Sequence, residues 1–210
     1  MRPNEIEALF TRSDGTYLFA RWGRPIVPVV FGLADETLPV FKGAIEAVVV
    51  LAGHKMAELD PETGANLMLF AFRDWEELLA VPDLGHLVPE LAGVVARLVA
   101  AGANQYRMFR FDAGGAIRAA FIFLRLDAHL AALPAEALAL GQAAQVILLW
   151  SDRAFAGSSP LACIGEAVVL RPEIAEVIRA GYDSVLPAVA RDTSHALRLA
   201  ARLAKAGQGS

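Results

Sequence analysis

The sequence predicts an α+β fold: a mixed sheet, largely antiparallel at its edges, packed with helices and followed by a helical C-terminal part, in one domain over residues 1–205. Three observations predict it. Residues 106–126 read as a hairpin whose second arm is apolar on both faces, the mark of a strand buried centrally in a sheet. Two further apolar runs, residues 25–31 and 66–72, flank a stretch of helical spacing, which sets helices against that sheet. Beyond Pro134 the chain is rich in Ala and Leu, residues that favour helix.

Taken in order, Asp14-Gly15 is a turn signal between apolar stretches and predicts a strand over residues 16–22, as one arm of a hairpin. Residues 25–31 (Pro-Ile-Val-Pro-Val-Val-Phe) are β-branched and bounded by glycines. Pro28 has no N–H for a ladder, which puts this strand at an edge or a bulge. Asp35 is placed to cap a helix running to residue 56, with Ile45, Val48, Val49, Ala52 and Met56 at helical spacing. Residues 60–64 are a loop, and residues 66–72 are a strand covered on both faces.

A helical region follows, strongest over residues 90–101 and ended by Gly102. The hairpin pairs residues 106–112 with 116–126 about Gly114-Gly115. Its second arm carries Ile117, Ala119, Phe121 and Phe123 on one face, and Ala120, Ile122, Leu124 and Leu126 on the other. Pro134 opens a helix through residue 150, and a loop rich in Gly and Ser follows. Two helices complete the chain, over residues 172–182 and 187–205, each starting with proline at a first-turn position. Residues 206–210 read as a disordered tail.

Bulk properties exclude several function classes. At 210 residues the chain can bury a core without disulfides or metal staples. The net charge of −4 opposes a nucleic-acid partner, whose phosphates demand a basic surface. Arg far outnumbers Lys, which with the many Ala residues reflects GC-rich coding and not phosphate binding. Cys163 is the one cysteine, so neither an intramolecular disulfide nor a cysteine-based zinc site is available. Residues 1–5 lead into no continuous apolar run, so no secretory signal is read and the expected location is the cytoplasm. Residues 130–150 carry a single charge, Glu136, but Pro134, Gln142 and Gln145 interrupt them. This is a buried helix and not a membrane span. Charged residues make up only 20% of the chain, which points to a homo-oligomer or a partner-covered face.

No motif for catalysis is present. His54, His86, His129 and His195 are scattered, with no paired-histidine helix of the zinc-hydrolase kind. Gly157-Ser158-Ser159-Pro160 lacks the second glycine of a nucleophile elbow. Cys163 reads as a small buried hydrophobe. Arg107, Arg110, Arg118 and Arg125 alternate with Asp112 and Asp127 on the hairpin, and cross-strand ion pairs are the default account of them. Gln142 and Gln145, three apart, share one face of an otherwise apolar helix. An unpaired buried amide costs about 1–3 kcal/mol, so both need partners. They either bond loop backbone or line a cleft for a peptide or small molecule.

Three segments resemble a bacterial family of unknown function regarded as zincin-like, that is, related in fold to metallopeptidases. Arg21-Trp22-Gly23-Arg24-Pro25-Ile26-Val27 is similar to that family's Trp-x-Arg-Pro-Val strand opening. Ala144-Gln145 through Leu149 and Asp152 resembles its central helix. Ala167 to Glu173, with Tyr182-Asp183, resembles its C-terminal helix. The resemblance implies a zincin-like fold over residues 22–183, in which the metal-site helix follows an antiparallel edge strand. Where that helix carries His-Glu ahead of Ala-Gln, this chain has Leu140-Gly141. Neither can ligate a metal or activate a water, so the resemblance implies a protein with no metal or other cofactor and no peptidase activity.

The combined expectation is a non-catalytic protein that binds a protein, peptide or small ligand. Its cleft would be lined by Gln142, Gln145, Trp150 and Asp152, with Arg73 and Trp75 as further candidates. Two alternatives stand beside it. One is an enzyme assembled from groups such as His54, Asp74 and Arg110, and the other is a structural or assembly subunit.

Overall fold

The computed structural model describes residues 1–62 and 64–206. The chain runs α1 (Pro3–Phe10), β1 (Phe19–Ala20), β2 (Pro28–Phe31), α2 (Leu38–Leu51), β3 (Leu67–Phe72), α3 (Leu84–Leu87), α4 (Leu91–Ala100), β4 (Gln105–Phe111) and β5 (Ile117–Arg125). It continues α5 (Ala128–Ala131), α6 (Ala135–Val146), β6 (Leu161–Ile164), β7 (Ala167–Leu170), α7 (Pro172–Gly181), β8 (Val189–Ala190) and α8 (Ser194–Ala206).

The expected α+β class holds, and the sheet is mixed. Its four strands lie in the order β2-β3-β5-β4. The β4–β5 hairpin makes one edge antiparallel. The opposite edge departs from expectation, because β2 and β5 both run parallel to β3. A helical crossover between strands returns the chain in the same direction, and α2 is that crossover between β2 and β3. Pro28 sits at the start of β2, an edge strand, as its missing donor requires.

β3 and β5 are covered on both sides, which explains their continuous apolar sequence. Leu67, Leu69, Ala71, Ala120, Ile122 and Leu124 enter the larger core, shared with α1, α2, α6, α7 and α8. Phe70, Ala119, Phe121 and Phe123 enter a smaller core with Trp75, Leu78, Leu84, Val95 and Leu98. Ile117 departs from its expected face. Arg110 pairs with Ala119 but Phe111 pairs with Ile117, so Arg118 is the extra residue of a bulge. A bulge inverts the alternation beyond it, and Ile117 joins the larger core beside Ala120.

Boundaries moved wherever tertiary pairing competed with helix propensity. α2 stops at Leu51, short of residue 56, because Gly53 takes a left-handed φ of 66° and the His54 N–H bonds back to the Val49 carbonyl. Met56 is free to bridge Ile26. Asp35 opens a short 3-10 turn, Asp35–Thr37, and not α2 itself. α6 stops at Val146 because the next residues pair with the N-terminal segment: Leu148 bridges Arg21 and the Leu149 N–H donates to the Ala20 carbonyl. The expected strand over residues 16–22 is regular only at Phe19–Ala20, which pairs with Val189–Ala190. That pairing keeps residues 187–193 out of α8, and the Asp192 carboxylate accepts the Ser194 N–H at the helix start.

Several elements were not expected, among them α1, the short α5 and the β6–β7 hairpin. α1 begins with Pro3 and buries Ile6, Leu9 and Phe10. The β6–β7 hairpin turns at Gly165, with φ 61°, inside the segment read as loop and helix opening. The hairpin leaves Cys163 exposed, which corrects its reading as a buried hydrophobe. The folded protein is therefore expected to react with one equivalent of a thiol-specific disulfide reagent without denaturant. A thiol that titrates only after unfolding would contradict this placement. Of the expected tail, Ala206 belongs to α8, and residues 207–210 lie outside the described residues. No helix among the described residues is long and apolar enough to cross a membrane.

Candidate functional site

α6 carries two amides on an apolar helix, and their partners define the site. Gln142 is 3% exposed. Its Nε2 donates to Gln105 Oε1 at 3.0 Å, and its Oε1 accepts from Arg107 Nη2 at 2.9 Å. The same Arg107 nitrogen donates to Gln105 Oε1 at 2.6 Å. Gln142 therefore bonds side chains of the edge strand β4 and not loop backbone. Gln145, one turn on, donates from Nε2 to the Gly141 carbonyl of its own helix at 3.1 Å.

The chain beyond α6 folds back over this helix. Trp150 donates from its indole nitrogen to the Ala144 carbonyl at 2.8 Å. Its ring stacks on Phe10, with centroids 5.3 Å apart and an interplanar angle of 11°, and meets Phe155 edge-on. The Ser151 N–H donates to the Leu9 carbonyl at 2.8 Å, and Asp152 Oδ1 accepts the Ser13 N–H at 2.9 Å. α1 and its following turn are thus tied to residues 150–152.

These elements enclose a cleft of about 510 Å³, within the size range of small-molecule sites. Gln145, Trp150 and Asp152 line it, together with Arg12, Asp14, Gln105, Tyr106, Arg107, Phe109 and Phe155. Gln142 lies beneath, bonded to two of the lining side chains. Four of the expected residues therefore converge. Arg73 and Trp75 do not join them. Arg73 is exposed after β3. Trp75 is 1% exposed, belongs to the core on the opposite sheet face, and donates to the Ala103 carbonyl at 2.7 Å.

The cleft residues missed in the sequence are chiefly those of β4 and the N-terminal turn. Arg107 was assigned to a cross-strand ion pair. Instead, the hairpin arginines find other partners: Arg118 pairs with Glu62, Arg125 with Asp127, and Arg110 donates to the Leu87 carbonyl. Arg107 has no carboxylate within ion-pair distance among the described residues; its partners are the two neutral amide oxygens. The alternating Gln105, Arg107 and Phe109 on one strand face was the available signal.

Electrostatically the cleft is mixed. Burial lowers the Arg107 guanidinium pKa to about 10, because desolvation disfavours the charged form. The Ser13 hydroxyl and N–H hold Asp152 below the usual carboxylate range, and the Thr16 N–H and hydroxyl do the same for Asp14. Both acids are ionised at neutral pH. Among the described residues no three His, Cys, Asp or Glu side chains are grouped to hold a metal ion. His54, Asp74 and Arg110 do not form one site: His54 Nε2 bonds the Arg24 carbonyl, Asp74 heads the 3-10 turn Trp75–Ala80, and Arg110 holds Leu87. A second concavity, of about 540 Å³ beside β2, is walled mainly by Pro28, Val29, Val30, Leu38 and Pro39 and offers little polar chemistry. Comparison with protein-family models, with curated proteins and with solved structures finds no match for the chain.

Proposed function

We propose that this chain is a non-catalytic binding protein of metallopeptidase-like fold, and that the cleft between α6, β4 and the N-terminal turn receives a peptide or small-molecule ligand. The observation that carries the reading is the convergence of Gln145, Trp150 and Asp152 on one cleft, with Gln142 bonded to its wall. Aromatic surface beside a few oriented polar groups is the usual make-up of a ligand site. The zincin-like part of the reading rests on the resemblance of the segments around Trp22, Gln145 and Tyr182; β4 is an antiparallel sheet edge, but β5, the strand that precedes α6, is interior to the sheet. Leu140 and Gly141 of α6 offer no ligand to zinc, and no general base for its water.

Native mass spectrometry of protein purified without added metal is expected to show no stoichiometric zinc. Stoichiometric zinc would overturn the metal-free reading. Titration of the isotope-labelled protein with a small-molecule fragment set is expected to shift backbone NMR signals of Gln145, Trp150 and Asp152 while leaving those around Trp75 in place. Fragment hits that leave the cleft signals unmoved would remove the cleft from consideration.

A further inference from the structure

Arg107 occupies an unusual position for an arginine. A guanidinium withdrawn from water is ordinarily matched by a carboxylate, because two neutral oxygens do not offset a desolvated charge. Here Nη2 is shared between Gln105 Oε1 and Gln142 Oε1. Nε is buried with no partner at all. No carboxylate lies within ion-pair distance among the described residues, and the side chain forms part of the cleft wall. The two glutamines hold the guanidinium in place without neutralising it. A second cation, Arg12, also lines the cleft, likewise outside the ion pairs of the described residues.

Resting on the binding role proposed above, we infer that the cleft takes a small monocarboxylate with an aromatic body, its carboxylate received by Arg107. Three features select this class. Arg107 is an anion receptor whose geometry is held by Gln105 and Gln142 through Nη2, and its remaining terminal nitrogen, Nη1, is left to give a charge-assisted hydrogen bond to a carboxylate. Asp14 and Asp152 line the same cleft, so a multiply charged phosphate meets two like charges there. Phe109, Trp150 and Phe155 supply the aromatic wall for a ring.

The test uses the full chain with three probes: phenylacetate, its neutral isostere phenylacetamide, and inorganic phosphate. Binding is followed by NMR, with the side-chain N–H signals of the Arg107 guanidinium as the reporter. Phenylacetate is expected to bind about tenfold more tightly than the amide, the value of one charge-assisted contact, and to shift the Arg107 guanidinium signals. Arg107→Gln is expected to abolish the preference for acid over amide, while Arg107→Lys keeps part of it. Both variants are checked for native backbone spectra, so that misfolding is not read as lost binding.

Equal binding of acid and amide to the natural protein would overturn the inference and leave the cleft as a binding site. A preference that survives Arg107→Gln would overturn the role of Arg107. Phosphate displacing phenylacetate at equal concentration would overturn the choice of a monocarboxylate. Failure of both phenylacetate and phenylacetamide to bind would overturn the inference, and the fragment titration then decides the binding role separately.

Discussion

Phe10→Ala is expected to destabilise the protein by about 3–5 kcal/mol, the range for removing a large buried aromatic. Phe10 is 0% exposed at the end of α1. Its ring meets Phe19 edge-on at 5.1 Å and stacks on Trp150 at 5.3 Å. Truncation leaves a cavity between α1, β1 and the segment after α6, where the backbone is pinned on both sides by hydrogen bonds and cannot collapse freely. Trp150 also loses its stacking partner, so cleft ligands should weaken in the same variant. Phe10→Leu keeps most of the apolar volume and is expected to cost about 1–1.5 kcal/mol. Equilibrium denaturant unfolding of the two variants checks both values. A loss below about 1 kcal/mol for Phe10→Ala would mean that α1 does not fold cooperatively with the core.

The second large effect is a loss of stability in mild acid through His195. The residue is 2% exposed. Nδ1 shares a hydrogen bond with the Tyr17 hydroxyl at 2.9 Å, while Nε2 is buried without a partner. Burial lowers its pKa from 6.5 to about 4, and the positive charges of Arg198 and Arg21 add to that. An imidazolium would bury a second N–H with nothing to accept it. Because the folded pKa lies below the unfolded one, the unfolded chain binds more protons between them. The stability is fully present above about pH 6.5 and is lost as pH falls towards 4. The full effect is on the order of 3 kcal/mol.

His195→Phe retains the packing on Phe19 but cannot titrate. Urea midpoints measured from pH 7.5 to 4 (roughly the span of the titration) should fall less steeply for the variant than for the natural protein. Carboxylates held below their usual range, such as Asp127 and Asp152, contribute equally to both and cancel in the difference. Parallel curves would exclude His195 as the acid-sensitive group.

Several parts of the site were legible in the sequence. Gln142 and Gln145 stood out because two amides on an apolar helix need partners, and Trp150 and Asp152 follow on the same segment. Arg107 was visible but misassigned. In the sequence it is one of four arginines on a hairpin that also bears acids, and nothing local separates it from Arg125, which does pair with Asp127. Arg12, Asp14 and the α1 contacts were missed for a related reason. They reach the cleft only because Ser13 and Leu9 bond residues 151 and 152, far along the chain.

Residues close in sequence were enough to mark the strands whose apolar runs are covered on both faces, the hairpin at Gly114-Gly115, Pro28 as an edge or bulge residue, and the helices with clear periodicity and stops. Each rests on local chemistry: a turn glycine, a missing donor, or a spacing that repeats every turn or every second residue. Only the tertiary structure decided where α2, α6 and α8 begin or end, which face Ile117 takes, and which charge remains unmatched. Residues 147–149 and 189–190 leave helix because distant strands offer them backbone partners. Gln142 meets Arg107 and Gln105 across 35 and 37 residues of chain, and hydrogen bonds at that separation leave no periodic mark in the sequence.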